Sequence, residues 1–437
     1  MEQVTKKDNI FRVLDQCGPF ATEEVSPRLS HFSPYSRLLT RRLRGSRMTT
    51  RYRIVRDQIF EFLNVNSFGD IQHLIQDKES RSATSQRAYE LLGKMFALEG
   101  TPQEFAAIIA NYSRTADSVI RYMQQSVLAP YASYFEMNSK VDTINNPVEL
   151  LLIPFDDRYH KKARFEAKRK LVLMSLTAAI EQRERETEIE QKFGRFLDFL
   201  NAYVWSQEAK IGEREPSFLL SRHSAEDFSC SEVAVFPWEQ AAALPAEPRT
   251  KRTLVNRLWF YWDKNKIPIY VMVRKKEPVA KILKLLRKGE ENPDIAVADE
   301  LGLMGVLDSI REVRVFQRYL VESATRAGSF LTLEDVSDTL ENGTLVEGNT
   351  GSCTKTPMLK FFARMGGMRV EFIIHTNKSF LNYTYQRDVA HNEYEVRRLF
   401  DSGVINLLFP QDIYLIDAAT IRDDLLRRFR RQIEEVE

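Results

Sequence analysis

Cysteine and histidine are scarce in this chain, and their scarcity limits the chemistry it can support. Only three cysteines and six histidines occur among 437 residues. Cys17, Cys230 and Cys353 lie far apart and form no Cys-x-x-Cys pair, so we expect neither a zinc site nor a disulfide framework. No Gly-x-x-x-x-Gly-Lys-Ser/Thr motif is present, which excludes a P-loop phosphate site.

Long apolar runs are also missing. No stretch approaches the roughly 18 apolar residues that a membrane span requires. The first residues carry neither the apolar region nor the small-residue cleavage site of a secretion signal. We therefore expect a soluble, cytoplasmic protein with no membrane partner. Because single cores stop growing at about 250–300 residues, we also expect at least two domains.

Charge is balanced overall but unevenly distributed. The net charge of +2 gives no indication of a nucleic-acid partner, and none is expected. Two basic stretches nevertheless stand out. No acidic residue occurs from Val25 to Arg56, and a second basic stretch runs from Arg249 to Lys288. The proline and serine content of the first stretch predicts an irregular basic arm over residues 1–51.

Helical periodicity predicts an α-helical domain over residues 52–211, where apolar residues recur every three or four positions. Thr101-Pro102-Gln103-Glu104 combines an N-cap, a proline at the first helical position and an acid, and it predicts a helix start. The charged stretch 159–207 predicts one or two exposed helices. The sequence assigns this domain no role, and binding of a protein partner is one hypothesis.

The pattern changes after a proline-containing segment, residues 212–248, which we interpret as a linker or boundary. Alternating apolar residues around Leu258 and Ile269 predict strands, and Lys281–Lys288 predicts a basic amphipathic helix. Further strands and helices follow. The expected fold class is α+β, with an N-terminal helical domain followed, over residues 249–437, by a mixed β-sheet covered by helices.

Four segments between Arg249 and Phe409 resemble, in order and spacing, the RelA/SpoT-type (p)ppGpp synthetase domain. RKKEPVAKILKLLRK resembles its basic phosphate-binding segment and ADELGLMGV its metal-binding strand. VEFIIHT resembles its Val-Glu-Ile-Gln-Ile-Arg-Thr strand, and YQRDVAHNEY its Ala-His helix. The family has a nucleotidyltransferase-like fold and is a nucleotide pyrophosphokinase: it transfers pyrophosphate from ATP to the 3′-OH of GDP or GTP, making the alarmone guanosine tetraphosphate.

The resemblance implies particular roles for seven residues. Asp299 and Glu371 would bind Mg²⁺, and Glu371 and His391 would be catalytic. The side chains expected to bind phosphate are Arg274, Lys276, Lys284 and Arg287. Dense negative charge on a transferring pyrophosphate explains the need for cations, a metal ion and a base. The implied partners are ATP and a guanosine nucleotide.

Three departures from the family pattern favour an alternative, a catalytically degenerate module that binds a nucleotide or a protein. Met304 stands where the family has an arginine, and His375 replaces the arginine of its Ile-Arg-Thr element. The family's Tyr-x-Ser-Leu-His strand reads MLKFFARM here. Its tyrosine stacks on guanine, so either Phe361 or Phe362 would have to replace it or guanine is not the acceptor base.

Three of the candidates also have structural interpretations. Asp299 could be a strand-end cap or a surface residue. Glu371 could lie on a solvated face of its strand, paired with Arg369 or with Lys360. His391 could be an interior or helix-surface histidine.

Overall fold

A computed structural model describes residues 47–129, 139–205, 215–241, 247–297, 299–341 and 356–435. Within them the chain is α+β, with many helices and an eight-stranded mixed sheet. Most of the predicted basic arm, residues 1–51, lies outside the described residues. The chain divides into two units, each built from three stretches. Unit 1 comprises Met1–Glu186, Pro278–Ala296 and Ser402–Ala418, and unit 2 comprises Thr187–Glu277, Val297–Asp401 and Ala419–Glu437.

Unit 1 is helical, as the sequence predicts for its first stretch. Helices and strands are numbered here along the whole chain. The helices of unit 1 are α1 Arg47–Leu63, α2 Phe68–Gln76, α3 Lys78–Met95, α4 Pro102–Tyr122, α5 Pro147–Leu152, α6 Lys161–Glu186, α9 Pro278–Lys288, α10 Pro293–Ala296, α14 Val404–Leu408 and α15 Gln411–Tyr414.

The predicted start of α4 is confirmed. The Thr101 hydroxyl accepts a hydrogen bond from the Glu104 amide, and the Glu104 carboxylate accepts one from the Thr101 amide at 2.7 Å. This capping box satisfies two of the amides that a helix leaves without a partner at its start. Pro102 follows at the first helical position, where it has no amide to satisfy.

The expectation of an exposed helix is wrong for α6, which is buried through most of its length. The Arg169 guanidinium donates hydrogen bonds to the Leu408 carbonyl at 2.6 Å and to the Tyr414 hydroxyl at 2.9 Å. The Lys170 ammonium pairs with Asp117 at 3.0 Å. Buried charges are tolerated when they are paired and hydrogen-bonded. These contacts therefore allow a charged sequence to form a central helix of unit 1.

Unit 2 contains the sheet, whose strand order is β2-β1-β3-β4-β5-β8-β7-β6. β5 and β8 are parallel, and all other neighbours are antiparallel. Its elements are α7 Ile189–Phe199, β1 Glu215–His223, β2 Cys230–Pro237, α8 Trp238–Ala241, β3 Thr250–Trp262, β4 Asn265–Lys275, β5 Leu301–Leu307, α11 Ile310–Arg326, β6 Thr332–Asp338, β7 Leu359–Met365, β8 Met368–Thr376, α12 Asn377–Tyr385, α13 His391–Asp401 and α16 Ala418–Glu434.

The segment 212–248, predicted from the sequence to be a linker or boundary, contains β1 and β2. β1 pairs with β3 from Glu215 opposite Arg257 to Arg222 opposite Thr250. The prolines that indicate a boundary lie near strand ends, where a missing amide disturbs the ladder least: Pro216 is the second residue of β1 and Pro237 the last of β2.

Helices α9 and α10 form an insertion between two neighbouring strands. β4 and β5 are antiparallel neighbours, and the Lys276 amide donates a hydrogen bond to the Glu300 carbonyl at 2.8 Å. The chain therefore leaves the sheet after β4, contributes Pro278–Ala296 to unit 1 and returns to the adjacent position. The predicted domain 249–437 thus contains residues of both units.

The sheet of unit 2 has two unlike faces. One face packs against α7 and α11 in a core that includes Phe196, Phe316 and Phe372. The other face is covered in part by α12, whose Phe380 belongs to the same buried cluster as Tyr270 of β4. Further along β4, this second face is exposed, and Met272 keeps 49% of its surface. We call this second side of the sheet the open face.

None of the helices in the described part of the chain combines the length and the apolar character that a membrane crossing needs.

Candidate functional site

A row of polar and aromatic residues crosses the open face. The strand register pairs Arg274 with Gly302, Gly302 with Glu371, and Glu371 with Phe362. Residues directly opposite on neighbouring strands point to the same face of a sheet. The four residues therefore lie side by side across β4, β5, β8 and β7. Arg274, Gly302 and Glu371 also line a surface depression, together with Met304.

Gly302 creates the space in the middle of this row. A Cβ at this position would lie 3.4 Å from Nε of Arg274 and 3.5 Å from the Glu371 carbonyl oxygen. These are ordinary contact distances, so a small side chain fits but fills the gap between the two residues. A branched side chain would occupy the depression itself.

Glu371 is buried and is held by two cations of unequal exposure. Its Oε1 lies 3.0 Å from Nζ of Lys360, whose side chain is 6% exposed. Its Oε2 lies 3.5 Å from Nη2 of Arg274, whose side chain is 53% exposed. Of the two partners that the sequence suggested, Lys360 is therefore the one that the structure shows. Arg369 instead pairs with Glu334.

Phe362 lies on the open face, whereas Phe361 is part of the core. Phe361 is fully buried and stacks on Phe372 with ring centroids 5.0 Å apart. The Arg369 guanidinium lies 3.5 Å from the Phe362 ring centroid. Phe362 is thus the one of the pair that is placed to contact a ligand on this face, and a planar cation already stacks on it.

Asp299 and Glu371 lie in separate ion pairs. Asp299 accepts from the Lys276 ammonium at 2.8 Å, and both side chains are 16% exposed. Asp299 precedes Gly302 by three residues, whereas Glu371 lies opposite Gly302. At about 3.3 Å per residue, this separates the two positions by about 10 Å along the strand direction.

The carboxylates of Asp299 and Glu371 could bind a metal ion only together with ligands from a substrate. Mg²⁺ is commonly held by one or two carboxylates together with substrate phosphates. Within the described ranges, no group of three or more His, Cys, Asp or Glu could hold a metal ion. Because Asp299 and Glu371 are about 10 Å apart along the strand direction and lie in separate ion pairs, they do not form the shared metal site that the resemblance implies. Either carboxylate alone fits an ion that arrives with phosphates.

His375 and His391 belong to a cluster of rings at the C-terminal end of β8. His391 stacks on Tyr383 with ring centroids 4.9 Å apart, and Tyr383 lies 5.2 Å from His375. His375 is four residues along β8 from Glu371, about 13 Å at the usual strand rise. Burial lowers the pKa of His375 to about 4, so it is neutral at physiological pH.

The remaining two phosphate-binding candidates lie in unit 1. Lys284 and Arg287 are both on α9, which buries the apolar residues Ile282 and Leu285 against α4 and α6. The structure therefore brings Arg274 and Glu371 together and assigns the α9 cations to the other unit.

Sequence reasoning missed Gly302 and the stacking of Arg369 on Phe362. The register that sets Gly302 opposite Glu371 has no local signal in the sequence. Arg369 is recognisable only once Phe362, rather than Phe361, is known to share its face. No protein-family model, curated protein or solved structure matches this chain.

Proposed function

We propose that unit 2 is a nucleotidyltransferase-like module that binds nucleotides on its open face and transfers pyrophosphate from ATP to the 3′-OH of a guanosine nucleotide. The observation that supports this is the row Arg274, Gly302, Glu371 and Phe362 on four adjacent strands. It sets a forked cation, a gap, a carboxylate and an aromatic ring side by side. These are groups that a phosphate chain, a sugar hydroxyl and a base require.

In this proposal the cations hold the phosphates and the carboxylate takes a proton. Arg274 contacts the phosphate chain because its side chain is exposed and its fork matches phosphate oxygens. The 3′-oxygen attacks the β-phosphorus of ATP, the bond to the α-phosphate oxygen breaks, and AMP leaves. Glu371 accepts the proton of the attacking hydroxyl. Mg²⁺ bound with the phosphates, near Asp299, would neutralise their charge.

A second candidate is a degenerate module that binds a nucleotide without turnover. It is favoured by the lysines that pair with both proposed metal-binding carboxylates, Lys276 with Asp299 and Lys360 with Glu371. A lysine ammonium in each pair supplies positive charge where the first candidate needs an ion. In this second candidate, unit 2 would have a regulatory role, and it would bind and release a guanosine or adenosine nucleotide without converting it.

The test is to incubate the full chain with magnesium, labelled ATP and each of GDP, GTP, ADP and AMP, and to separate the products by chromatography. A pyrophosphorylated nucleotide supports the first candidate and names the acceptor. In that case Glu371→Gln and Asp299→Ala should abolish product, whereas the exposed control Glu239→Gln should not. Full activity in both site variants contradicts the mechanism.

Equilibrium binding of labelled ATP and GDP distinguishes the second candidate. Binding without product, weakened by Arg274→Gln and Phe362→Ala, would support the degenerate module. If neither nucleotide binds, both candidates are wrong.

A further inference from the structure

The β3–β4 hairpin and the residue after it carry a concentration of positive charge, and the proposed function uses only Arg274 and Lys276 of it. Residues 250–276 contain eight Lys or Arg and one Asp, so their net charge is +7, against +2 for the whole chain. The overall balance conceals this local excess. Such an excess on one element is typical of a surface that binds a polyanion.

Basic and aromatic residues alternate on one face of this hairpin. The register pairs Arg257 with Tyr270, Trp259 with Pro268 and Tyr261 with Lys266. Because Tyr270 and Arg274 are an even number of residues apart on β4, all of these lie on the open face. The Lys266 ammonium lies 4.4 Å from the Trp259 ring centroid, and the Arg257 guanidinium lies 5.9 Å from it.

The rings have the exposure and spacing that unstacked bases need. Tyr261 keeps 45% of its surface, whereas Trp259 is half-buried and packs in part against the core of unit 2. Their Cα atoms are two residues apart on one strand, about 7 Å at the usual rise. That is about twice the 3.4 Å repeat of stacked bases, so successive bases of an extended strand could each contact one ring. The flexible side chain of Lys266 can move from Trp259 to a phosphate.

The hairpin turn adds a further cation and holds the two strands together. Asp263 and Lys264 both have left-handed backbone conformations, with φ of 46° and 64°. A two-residue turn of this kind matches the twist of the flanking strands. Trp259, Tyr261, Arg257 and Lys266 therefore belong to a continuous antiparallel ladder, and Lys264 lies in its turn.

We propose that the open face of the β3–β4 hairpin is a binding site for single-stranded nucleic acid. Bases stack on Trp259 and Tyr261, and phosphates pair with Arg257, Lys264 and Lys266. Base stacking on exposed rings beside a cationic track is the general mode of single-strand binding. A duplex keeps its bases stacked on each other and cannot use the rings in this way.

The experiment is fluorescence anisotropy of the full chain with labelled oligouridine and oligothymidine of about 12 nucleotides, a length within the range that such sites cover. The same measurement is made with a matched RNA duplex, and the single-strand binding is repeated at several salt concentrations. We expect saturable single-strand binding that weakens with salt, with the RNA and DNA arms showing whether the sugar matters. Tyr261→Ala and Trp259→Ala should each weaken it about tenfold. The double variant Arg257→Gln, Lys266→Gln should also reduce the salt dependence.

Two exposed residues of unit 2 provide matched controls. Phe330 is 94% exposed, so Phe330→Ala removes a ring elsewhere. Arg311→Gln removes a charge from the first turn of α11. Both should bind like the parent. If Trp259→Ala alters the far-ultraviolet circular dichroism, Tyr261→Ala alone decides the result. Absence of single-strand binding, equal binding of the duplex, or equal losses in Tyr261→Ala and Phe330→Ala would overturn the proposal.

Discussion

The two glycines of β5 face opposite sides of the sheet, and their surroundings predict different responses to substitution. A Cβ at Gly302 would lie at ordinary contact distance from Arg274. A Cβ at Gly305 would lie 3.1 Å from Cδ1 of Ile374 and 3.2 Å from Cδ1 of Ile269, both in the core. Space inside a packed core is scarce, so the second change forces its neighbours to move.

We therefore expect Gly305→Ala to lower the free energy of unfolding by about 1–2 kcal/mol and Gly302→Ala to change it little. Gly302→Val should keep the fold but fill the depression and abolish nucleotide binding. Urea unfolding and nucleotide titration measure the two effects. If Gly302→Val binds nucleotide like the parent, the depression is not the binding site.

His375 predicts a pH dependence of stability whose sign follows from its burial. Burial lowers its pKa from 6.5 to about 4 in the folded state. Between those values the unfolded chain binds a proton that the folded chain does not. The contribution of His375 is therefore present above pH 6.5 and is lost as the pH falls towards 4.

At pH 5 this loss amounts to about 2 kcal/mol relative to pH 7. We expect His375→Gln to lose correspondingly less stability than the parent between these pH values in urea unfolding. The exposed control His73→Gln should follow the parent. An equal loss in parent and His375→Gln would show that another group dominates the acid sensitivity.

Elements with strong local signals are the ones that the sequence predicts correctly. Thr101, Pro102 and Glu104 fix the start of α4 because capping depends on neighbours in sequence. Alternating apolar residues reveal β3 and β4 for the same reason. In these elements the residues that decide the structure lie within a few positions of each other.

Elements that depend on distant partners are not predictable in this way. α6 is buried because Arg169 finds the Leu408 carbonyl and Lys170 finds Asp117, and neither partner is close in sequence. The candidate site has the same limitation. Arg274 and Glu371 can be identified from the sequence, but the register that puts Gly302 between them depends on strand pairing.

The resemblance groups the α9 cations with Arg274 because they are adjacent in sequence. The structure shows that the chain leaves the sheet after Lys276 and returns at Glu300, so Lys284 and Arg287 belong to the helical unit. Adjacency in sequence therefore predicts a single basic segment, whereas the fold divides that segment between two units.

Each unit is built from three separate stretches of the chain, and this arrangement predicts how fragments of the protein behave. A fragment 187–437 retains α9 but loses α4 and α6, against which α9 packs in unit 1. Ile282, Leu285 and Lys281 are fully buried in the complete chain, and Lys281 would lose its ion-pair partner Glu184. Exposed apolar surface of this kind favours aggregation.

We therefore expect the fragment 187–437 to be poorly soluble and a second fragment to fold. The second replaces Pro278–Ala296 and Ser402–Ala418 with short Gly/Ser linkers. Each replacement joins positions that are already close: Lys276 bonds to Glu300, and Arg422 lies 3.5 Å from Asp401. Size-exclusion chromatography and thermal melting of both fragments measure the difference. A soluble, cooperatively melting first fragment would contradict the expectation that α9 needs α4 and α6 for its burial. An unfolded second fragment would mean that the core of unit 2 depends on residues outside it.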